Sequence, residues 1–432
     1  MKKTMVSLAA ASLIATTAMA ADKGIDIVTT GQAVLYYQTA QNNGKDAPDM
    51  FNDQASNANV GLQLNLDADL KNNFTFGSQL TYLGSAGLEK NLVKDTMQTT
   101  AGNLNLGDTT SQIALTQIFV AKKIGNTTVK IGRQELPKSL SPFAYSEGWN
   151  VFKNTFDAAL VVNTDIPDTT LVGAYVSGGT GMDLHTTGNL TPTSSAANHT
   201  VSGAAYMLTV QNKSIPMTTL TASYYNVAKI DQNTTSNTSL EGANAVWLDA
   251  AVAGKDLPMG LKFGLQGGTI MAESSGIADT VAFGVRAGMA PVEGLDLCLA
   301  FTSVDEDKNK PQIAIKNFGT GVKSPLYTQM IANQDAIAVA ADTFTLKAAY
   351  NTGDYGTVSA QYGYTTAGDN NINNKDAANG KKNDYQEFDL VYTVKAGGVD
   401  YLAAYVFQSF SEKTANDKDN NNIVRLWARY NF

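Results

Sequence analysis

Residues 423–432 read IVRLWARYNF. Taken at every second position they sort into two rows. Val424, Leu426, Ala428, Tyr430 and Phe432 are apolar, while Arg425, Arg429 and Asn431 fall on the other side with Trp427. A β-strand turns successive side chains to opposite faces, so this segment reads as a strand with one greasy face and one face carrying two guanidiniums. Two architectures use such a strand. In a soluble sandwich the apolar row is core and the arginines meet solvent. In a membrane barrel the apolar row meets lipid and the arginines line a water-filled lumen.

The same alternation recurs along the chain. In VGLQLNLDADL (60–70), Val60, Leu62, Leu64, Leu66, Ala68 and Leu70 face one way and Gln63, Asn65, Asp67 and Asp69 the other. Phe388, Leu390, Tyr392 and Val394 alternate with Glu387, Asp389, Thr393 and Lys395, and Leu295, Leu297, Leu299 and Phe301 with Asp296, Cys298 and Thr302. Similar runs lie near 25–38, 73–84, 111–123, 127–134, 155–163, 169–178, 203–212, 217–229, 243–254, 258–271, 279–290, 342–351, 355–366 and 398–411, which with the closing segment predicts about 18 strands.

The connections decide between the two architectures. After the even-numbered strands come tight turns rich in Gly, Asn, Asp or Pro, such as LKNN (70–73), IGNT (124–127), TDIPD (164–168), NKSIP (212–216) and AGGV (396–399). The intervening connections are mostly long and polar: 39–58, 85–110, 135–154, 179–202, 230–242, 306–341, 367–383 and 412–420, with only 272–278 short. Short turns on one rim and long loops on the other are the organisation of an outer-membrane barrel, the turns being periplasmic. A soluble sandwich has no reason to separate loop lengths by parity. Closure also removes the free edges of so large a sheet, and at this strand number the interior is too wide for side chains to fill. The predicted fold is therefore an all-β, transmembrane, antiparallel up-and-down barrel around an aqueous channel.

The first 20 residues, MKKTMVSLAAASLIATTAMA, combine two lysines, a short apolar stretch and Ala18-Met19-Ala20. This predicts a secretory signal peptide cleaved after Ala20, leaving 21–432 as one barrel domain. Loss of Lys2 and Lys3 takes the 31 basic side chains to 29 against 39 acidic ones, a formal charge of −10. Nucleic acid is not an expected partner of so acidic a chain. The single cysteine, Cys298, permits no intrachain disulfide. His185 and His199 share a Ser/Thr-rich loop without ligand spacing, and DKDNN (417–421) begins like a calcium loop but lacks its Gly and closing Glu. No arrangement specific enough for an enzyme is present.

The signal peptide, the strand layout, the terminal WARYNF (427–432) and IGRQELP (131–137) together make the chain similar to the epsilonproteobacterial major outer-membrane porins, of the kind known from Campylobacter. The resemblance implies a homotrimer of water-filled barrels in the outer membrane of a Gram-negative bacterium, passing ions and small hydrophilic solutes. It implies a third loop folded inward to narrow the pore. It also implies a terminal strand, with Trp427, Tyr430 and Phe432, that is read by the barrel-assembly machinery. Bound calcium is implied by the resemblance only: no ligand set matches residue by residue, the metal ligands stay unassigned, and a diffusion channel requires no cofactor.

Alternation assigns Asp67, Asp69, Lys122, Lys130, Asp157, Asp249 and Lys262 to the inward face. Further along it adds Arg286, Asp296, Lys347, Glu387, Asp389, Lys395, Arg425 and Arg429. Arg133 is a conflict. Alternation from Val129 and Ile131 turns it outward, the resemblance turns it toward the constriction, and its place at the strand's upper end favours the latter. The third loop, ELPKSLSPFAYSEGWNVFKN (135–154), holds Pro137, Pro142, Phe143, Tyr145, Trp149 and Phe152 among Glu135, Lys138, Glu147 and Lys153. These aromatics suit packing against the inner wall, so the expected constriction comprises Arg133, Glu135, Lys138, Glu147, Lys153 and Asp157. In 306–341, Ser324-Pro325 opens a short predicted helix over 326–331. Tyr36, Tyr82, Tyr350 and Tyr430, near strand ends, are expected in interfacial girdles.

The inward strand charges, seven acids and eight bases, nearly cancel, whereas DED (305–307) and DKD (417–419) make the outer mouth acidic. Weak cation selectivity follows. Two other readings stay open: a barrel acting mainly as a surface adhesin through its long loops, and a secreted soluble β-protein that binds polysaccharide.

Overall fold

The computed structural model describes residues 25–41, 47–88, 91–98, 111–181, 184, 190, 203–229, 242–254, 256–371, 384–410 and 420–432. The predicted signal peptide, both histidines and residues 417–419 lie outside these. The strands are β1 (Asp26–Gln41), β2 (Ser56–Lys71), β3 (Phe74–Gly84), β4 (Gln112–Ile124), β5 (Thr127–Gln134) and β6 (Phe156–Asn163). Next come β7 (Thr169–Gly179), β8 (Gly203–Asn212), β9 (Thr218–Lys229), β10 (Ala243–Ala253), β11 (Lys262–Ala272) and β12 (Thr280–Met289). The series ends with β13 (Leu295–Val304), β14 (Ala341–Asn351), β15 (Thr357–Ala367), β16 (Tyr385–Ala396), β17 (Val399–Phe410) and β18 (Asn420–Asn431).

Each strand pairs antiparallel with its neighbours in sequence, and β18 returns to β1 in a register running from Gln32 opposite Asn431 to Gln41 opposite Asn422. The sheet is thus a closed barrel of 18 strands with no free edge. The tight turns carry the backbone their residues favour. Asn72 and Asn73 sit at φ 53° and 63°, and Gly397 and Gly398 at 58° and 82°. Positive φ at both central positions matches the strand twist, and Asn and Gly bear it with least strain.

Leu35, Val120, Ile131, Leu208, Leu248, Leu265, Phe283, Phe344, Leu390 and Leu426 stand exposed on the outer wall. The inner wall is polar and hydrogen-bonded. Gln63 Nε2 donates to Gln79 Oε1 (3.1 Å) and Thr81 Oγ1 (3.2 Å), Thr116 Oγ1 donates to Gln79 Oε1 (2.7 Å), and Thr209 pairs with Ser223 (2.8 Å). Apolar outside and polar inside is the arrangement of a barrel that crosses a membrane with its strands, and it argues against a soluble protein. No helix among the described residues is long and apolar enough to cross.

Local departures from strict alternation move several residues. Between β3 and β4, Gln79 lies opposite Gln117 but Leu80 opposite Leu115, so Thr116 is an extra, bulged residue. A bulge shifts parity by one. Ile118 and Val120 therefore face out, and Lys122 goes with them, its Nζ 4.2 Å from the outward Phe74 ring. Lys122 is a charge of the outer wall, not of the lumen. On β6 the row Phe156, Ala158, Leu160 and Val162 faces inward, packed into the lumen's apolar cluster, which turns Asp157 outward. Arg133 lies opposite Ile118 and Asp157 and is outward too, as alternation has it and against the resemblance. Its Nε and Nη2 donate to Asp157 Oδ1 and Oδ2 at 2.9 and 3.3 Å. Tyr36 is buried on the inner face instead of standing in a girdle, whereas Tyr350 and Tyr430 are exposed outside. Residues 326–331 form a turn and no helix, with Ser324 Oγ accepting from Leu326 N at 3.2 Å.

Candidate pore constriction

Two connections enter the lumen. The first, 135–155 between β5 and β6, is the expected third loop. The second, 305–340 between β13 and β14, packs on it. Their shared centre is aromatic: Phe143 stacks on Phe318 with centroids 4.9 Å apart and planes 10° apart, and meets Tyr225 and Trp247 edge-on at 5.7 and 5.4 Å. Leu136, Phe156, Val176, Met207, Ile270, Ile313, Ile315, Leu326 and Ile337 extend the cluster. The inner wall is therefore apolar where the loops pack on it.

Backbone groups join the loops to each other. Phe318 N donates to Phe143 O (2.7 Å), Asn317 Nδ2 to Tyr145 O (2.7 Å), and Lys138 Nζ to Ser324 O (2.9 Å). Wall charges then fasten each loop. Arg425 donates Nε and Nη2 to Gln38 Oε1 (2.9 and 2.6 Å) and Nη1 to Trp149 O (3.0 Å), with its guanidinium 4.6 Å from the Trp149 ring. Arg429 Nη2 donates to Asn150 O (2.6 Å). Two strands away, on β16, Glu387 accepts from Ala332 N (2.8 Å) and Asp389 from Ile331 N (3.1 Å), and across the barrel, on β10, Asp249 accepts the Tyr327 hydroxyl at 2.5 Å. Charge-assisted hydrogen bonds of this kind are the strong ones. The inward arginines and acids expected to bathe in the channel are in good part loop clamps.

Of the six residues expected at the constriction, four lie on the inner loop. Glu135 and Lys153 form an ion pair (2.8 Å) that Gln117 also reaches (3.4 Å). Glu147 is buried and accepts from Trp149 N (2.9 Å) and Asn150 Nδ2 (3.1 Å), which shapes the turn. Lys138 lies between the loops and borders the lumen, its Nζ held by Ser324 O. Arg133 and Asp157 are outside. Lys130 faces inward with its Nζ 3.6 Å from the Phe119 ring. Asp67 shares the inward parity of Gln63 in the β2 register. Asp69, near the lower rim, accepts from Lys71 N (2.8 Å), and Lys395 lies 3.9 Å from Asp400.

Below the loops the lumen opens into two adjoining chambers. One, of about 540 Å³, is lined by Lys138, Gln211, Asp249, Gln266, Arg286 and Tyr327. The other, of about 520 Å³, is lined by Arg286, Tyr327, Lys347, Cys298 and the ion pair Lys262–Asp296. The Arg286 guanidinium lies 4.1 Å from the Tyr327 ring and borders both. The second inward loop was visible in the sequence only as apolar residues, Ile313, Ile315 and 336–341 (AIAVAA), inside a long connection.

Desolvation among the crowded loops pushes the Lys138 amine from 10.5 down to about 8 even though the residue borders the lumen, with Lys323 and Arg286 adding to the fall and Asp249 opposing it. Burial lowers Lys323 to about 8 as well, against the pull of Glu147 and Glu387. Undocked, each lysine returns toward its ordinary value, so between pH 8 and 10.5 the docked loops hold fewer protons and docking strengthens as pH rises. Single-channel records should thus be quieter at pH 9.5 than at pH 7. Lys138→Met with Lys323→Met should erase the difference. Noise that grows with pH would contradict this.

A closed, lipid-facing barrel narrowed by its own loops is the architecture of outer-membrane porins. Among solved structures, Acinetobacter baumannii OccAB2 aligns at TM-score 0.70 and 14% identity, over 94% of this chain and 98% of that one. Pseudomonas aeruginosa OccK8 (OprE) aligns at 0.69 and 15%, and P. aeruginosa OpdK, solved with vanillate, at 0.69 and 10%, both over 94% of this chain and 98% of theirs. At these identities the likeness establishes the fold: an outer-membrane β-barrel of the porin type. No family model matches the chain, and no curated protein does. The neighbours come from Pseudomonas and Acinetobacter, so they bear on the fold and do not support the narrower epsilonproteobacterial family expected from the sequence.

Proposed function

We propose that the protein is a passive diffusion channel for ions and small hydrophilic solutes, weakly cation-selective, and not an enzyme. The observation that carries this reading is the pair of water-accessible chambers left beneath two clamped loops in a closed barrel. On this reading the signal peptide is cleaved after Ala20, the barrel-assembly machinery inserts the mature chain, and copies associate as a homotrimer. The epsilonproteobacterial kinship and bound calcium remain part of the proposal, resting on sequence resemblance. OccAB2 and OccK8, two of the similar structures, share the fold, and OpdK was solved with vanillate, an aromatic carboxylate.

Selectivity is argued from charge. With Lys122 and Asp157 on the outer wall and Lys123 turned inward by the same bulge, the inward strand charges become six acids and eight bases, a small basic excess. Arg425, Glu387 and Asp389 are occupied by loop backbone. The acidic outer segment Asp305, Glu306 and Asp307 then biases the mouth. A mouth of one sign concentrates the opposite ion, and screening over about 8 Å at physiological salt keeps the preference modest. In a planar bilayer the purified protein should conduct, and its reversal potential across a tenfold KCl gradient should have the sign of cation preference, largest in dilute salt. A clear anion preference would overturn the selectivity. A folded barrel without conductance would overturn the channel and favour the adhesin reading.

A further inference from the structure

We infer that a small monovalent anion of chloride size is held beneath the first inward loop, among Tyr36, Asn59, Trp149 and Arg429. Such a site belongs to the clamp between loop and wall. It stands apart from the channel reading, since a barrel that conducted nothing would hold the ion equally well.

Four buried donors in this layer have no acceptor among the described residues: the Tyr36 hydroxyl, Asn59 Nδ2, Trp149 Nε1 and Arg429 Nε. Tyr36 and Asn59 are only 3% and 1% exposed. The register sets them side by side, Tyr36 opposite Asn59 on β2 and opposite Trp427 on β18. Arg425 links Tyr36 to the loop, its guanidinium carbon lying 5.3 Å from the Tyr36 ring and 4.6 Å from the Trp149 ring. Arg429 completes the group, with its guanidinium carbon 4.3 Å from the Trp427 ring. The Asn59 amide cannot turn over to offer its oxygen, because Oδ1 already accepts from Met97 N (2.8 Å) and Gln98 N (3.1 Å).

Buried polar groups are almost always partnered, and all four of these donate. A water in their midst must also place two hydrogens of its own, and of the four only the Tyr36 oxygen can accept one. An anion only accepts. Charge points the same way. Among the described residues neither guanidinium is hydrogen-bonded to a carboxylate. Arg425 takes Gln38 Oε1 and Trp149 O, and Arg429 takes the carbonyls of Gly148, Asn150 and Val151. Glu147 is spent on Trp149 N and Asn150 Nδ2, and Asp400, opposite Arg429, accepts from Asn431. A buried cation without a counter-charge is costly. One small anion meets both needs, and because the four donor atoms are closed to solvent it is a resident of the fold and no solute in passage.

The test uses the purified full barrel in detergent. The temperature at which the compact, heat-modifiable form is lost should be several degrees higher in sodium chloride than in equimolar sodium gluconate. The gain should level off as chloride rises, as binding to the folded state alone requires. Tyr36→Phe combined with Trp149→Phe keeps both rings and removes two donors. It should lose most of the chloride gain and so fall below the unmodified chain in chloride. Without a bound anion the sign reverses: relieving two orphaned donors leaves the variant as stable or more stable in both salts. Crystals soaked in bromide should show an anomalous peak among the four residues. Equal temperatures in the two salts, a double variant that keeps the whole gain, or a clamp free of bromide would overturn the site. Unit conductance reports on the channel separately: chloride-dependent stability without conductance keeps the site and loses the channel.

Discussion

Deleting residues 139–150 should raise unit conductance severalfold and admit larger neutral sugars in liposome swelling. The segment contains Phe143, the centre of the aromatic cluster, and supplies the Trp149 and Asn150 carbonyls that Arg425 and Arg429 hold. Its removal takes one of the two obstructions out of the lumen and leaves Phe318 without its stacking partner, so the remaining loop should also loosen. Losing a fully buried Phe costs about 3–5 kcal/mol in ordinary cores. The strand ladder, closed independently of the loop, should keep the barrel folded, which heat-dependent gel mobility checks. Unchanged conductance in a folded variant would mean the solute path does not pass the loop.

Removing Phe432 should nearly abolish insertion. Its backbone exchanges two hydrogen bonds with Gly31, N to O at 3.0 Å and O from N at 2.7 Å, extending the seam between the first and last strands. Its ring lies over Gly31, where a Cβ would stand 2.3 Å from a ring carbon, and packs beside Tyr430 at 6.0 Å. Glycine is needed at 31 for that close approach. Without Phe432 the seam loses its terminal pair and its aromatic cover at once, and unfolded chains should collect in the periplasm. Normal amounts of heat-modifiable barrel in the membrane would refute this. Gly31→Val, which obstructs the ring but keeps the residue, should show a milder defect in the same direction.

Most of the barrel was legible because a lipid-facing strand must alternate, and alternation is local. Residues 60–70 and 423–432 announce both their faces within ten residues or so. Turn chemistry was equally local, as at Asn72-Asn73 and Gly397-Gly398. What escaped is whatever depends on partners remote in sequence. Thr116 has no compositional mark of a bulge, yet it reverses everything after it and sends Lys122 outside. Asp157 was misplaced because both faces of β6 are apolar, one for lipid and one for the inner loops. Arg425 and Glu387 were correctly turned inward, but only the folded loops reveal that they grip backbone instead of lining free water. The constriction was thus half legible: its loop from its own prolines and aromatics, its second loop and clamps only from the three-dimensional contacts.

The stacking of Phe143 on Phe318 has a consequence for how such a pore changes over generations. The two rings are 175 positions apart in the chain yet form one energetic unit with Tyr225 and Trp247. Substitutions at residues in contact do not add. A smaller ring in one loop is tolerated or harmful according to what the other already carries, so aperture cannot drift one loop at a time. Inherited change in pore size should come as paired replacements.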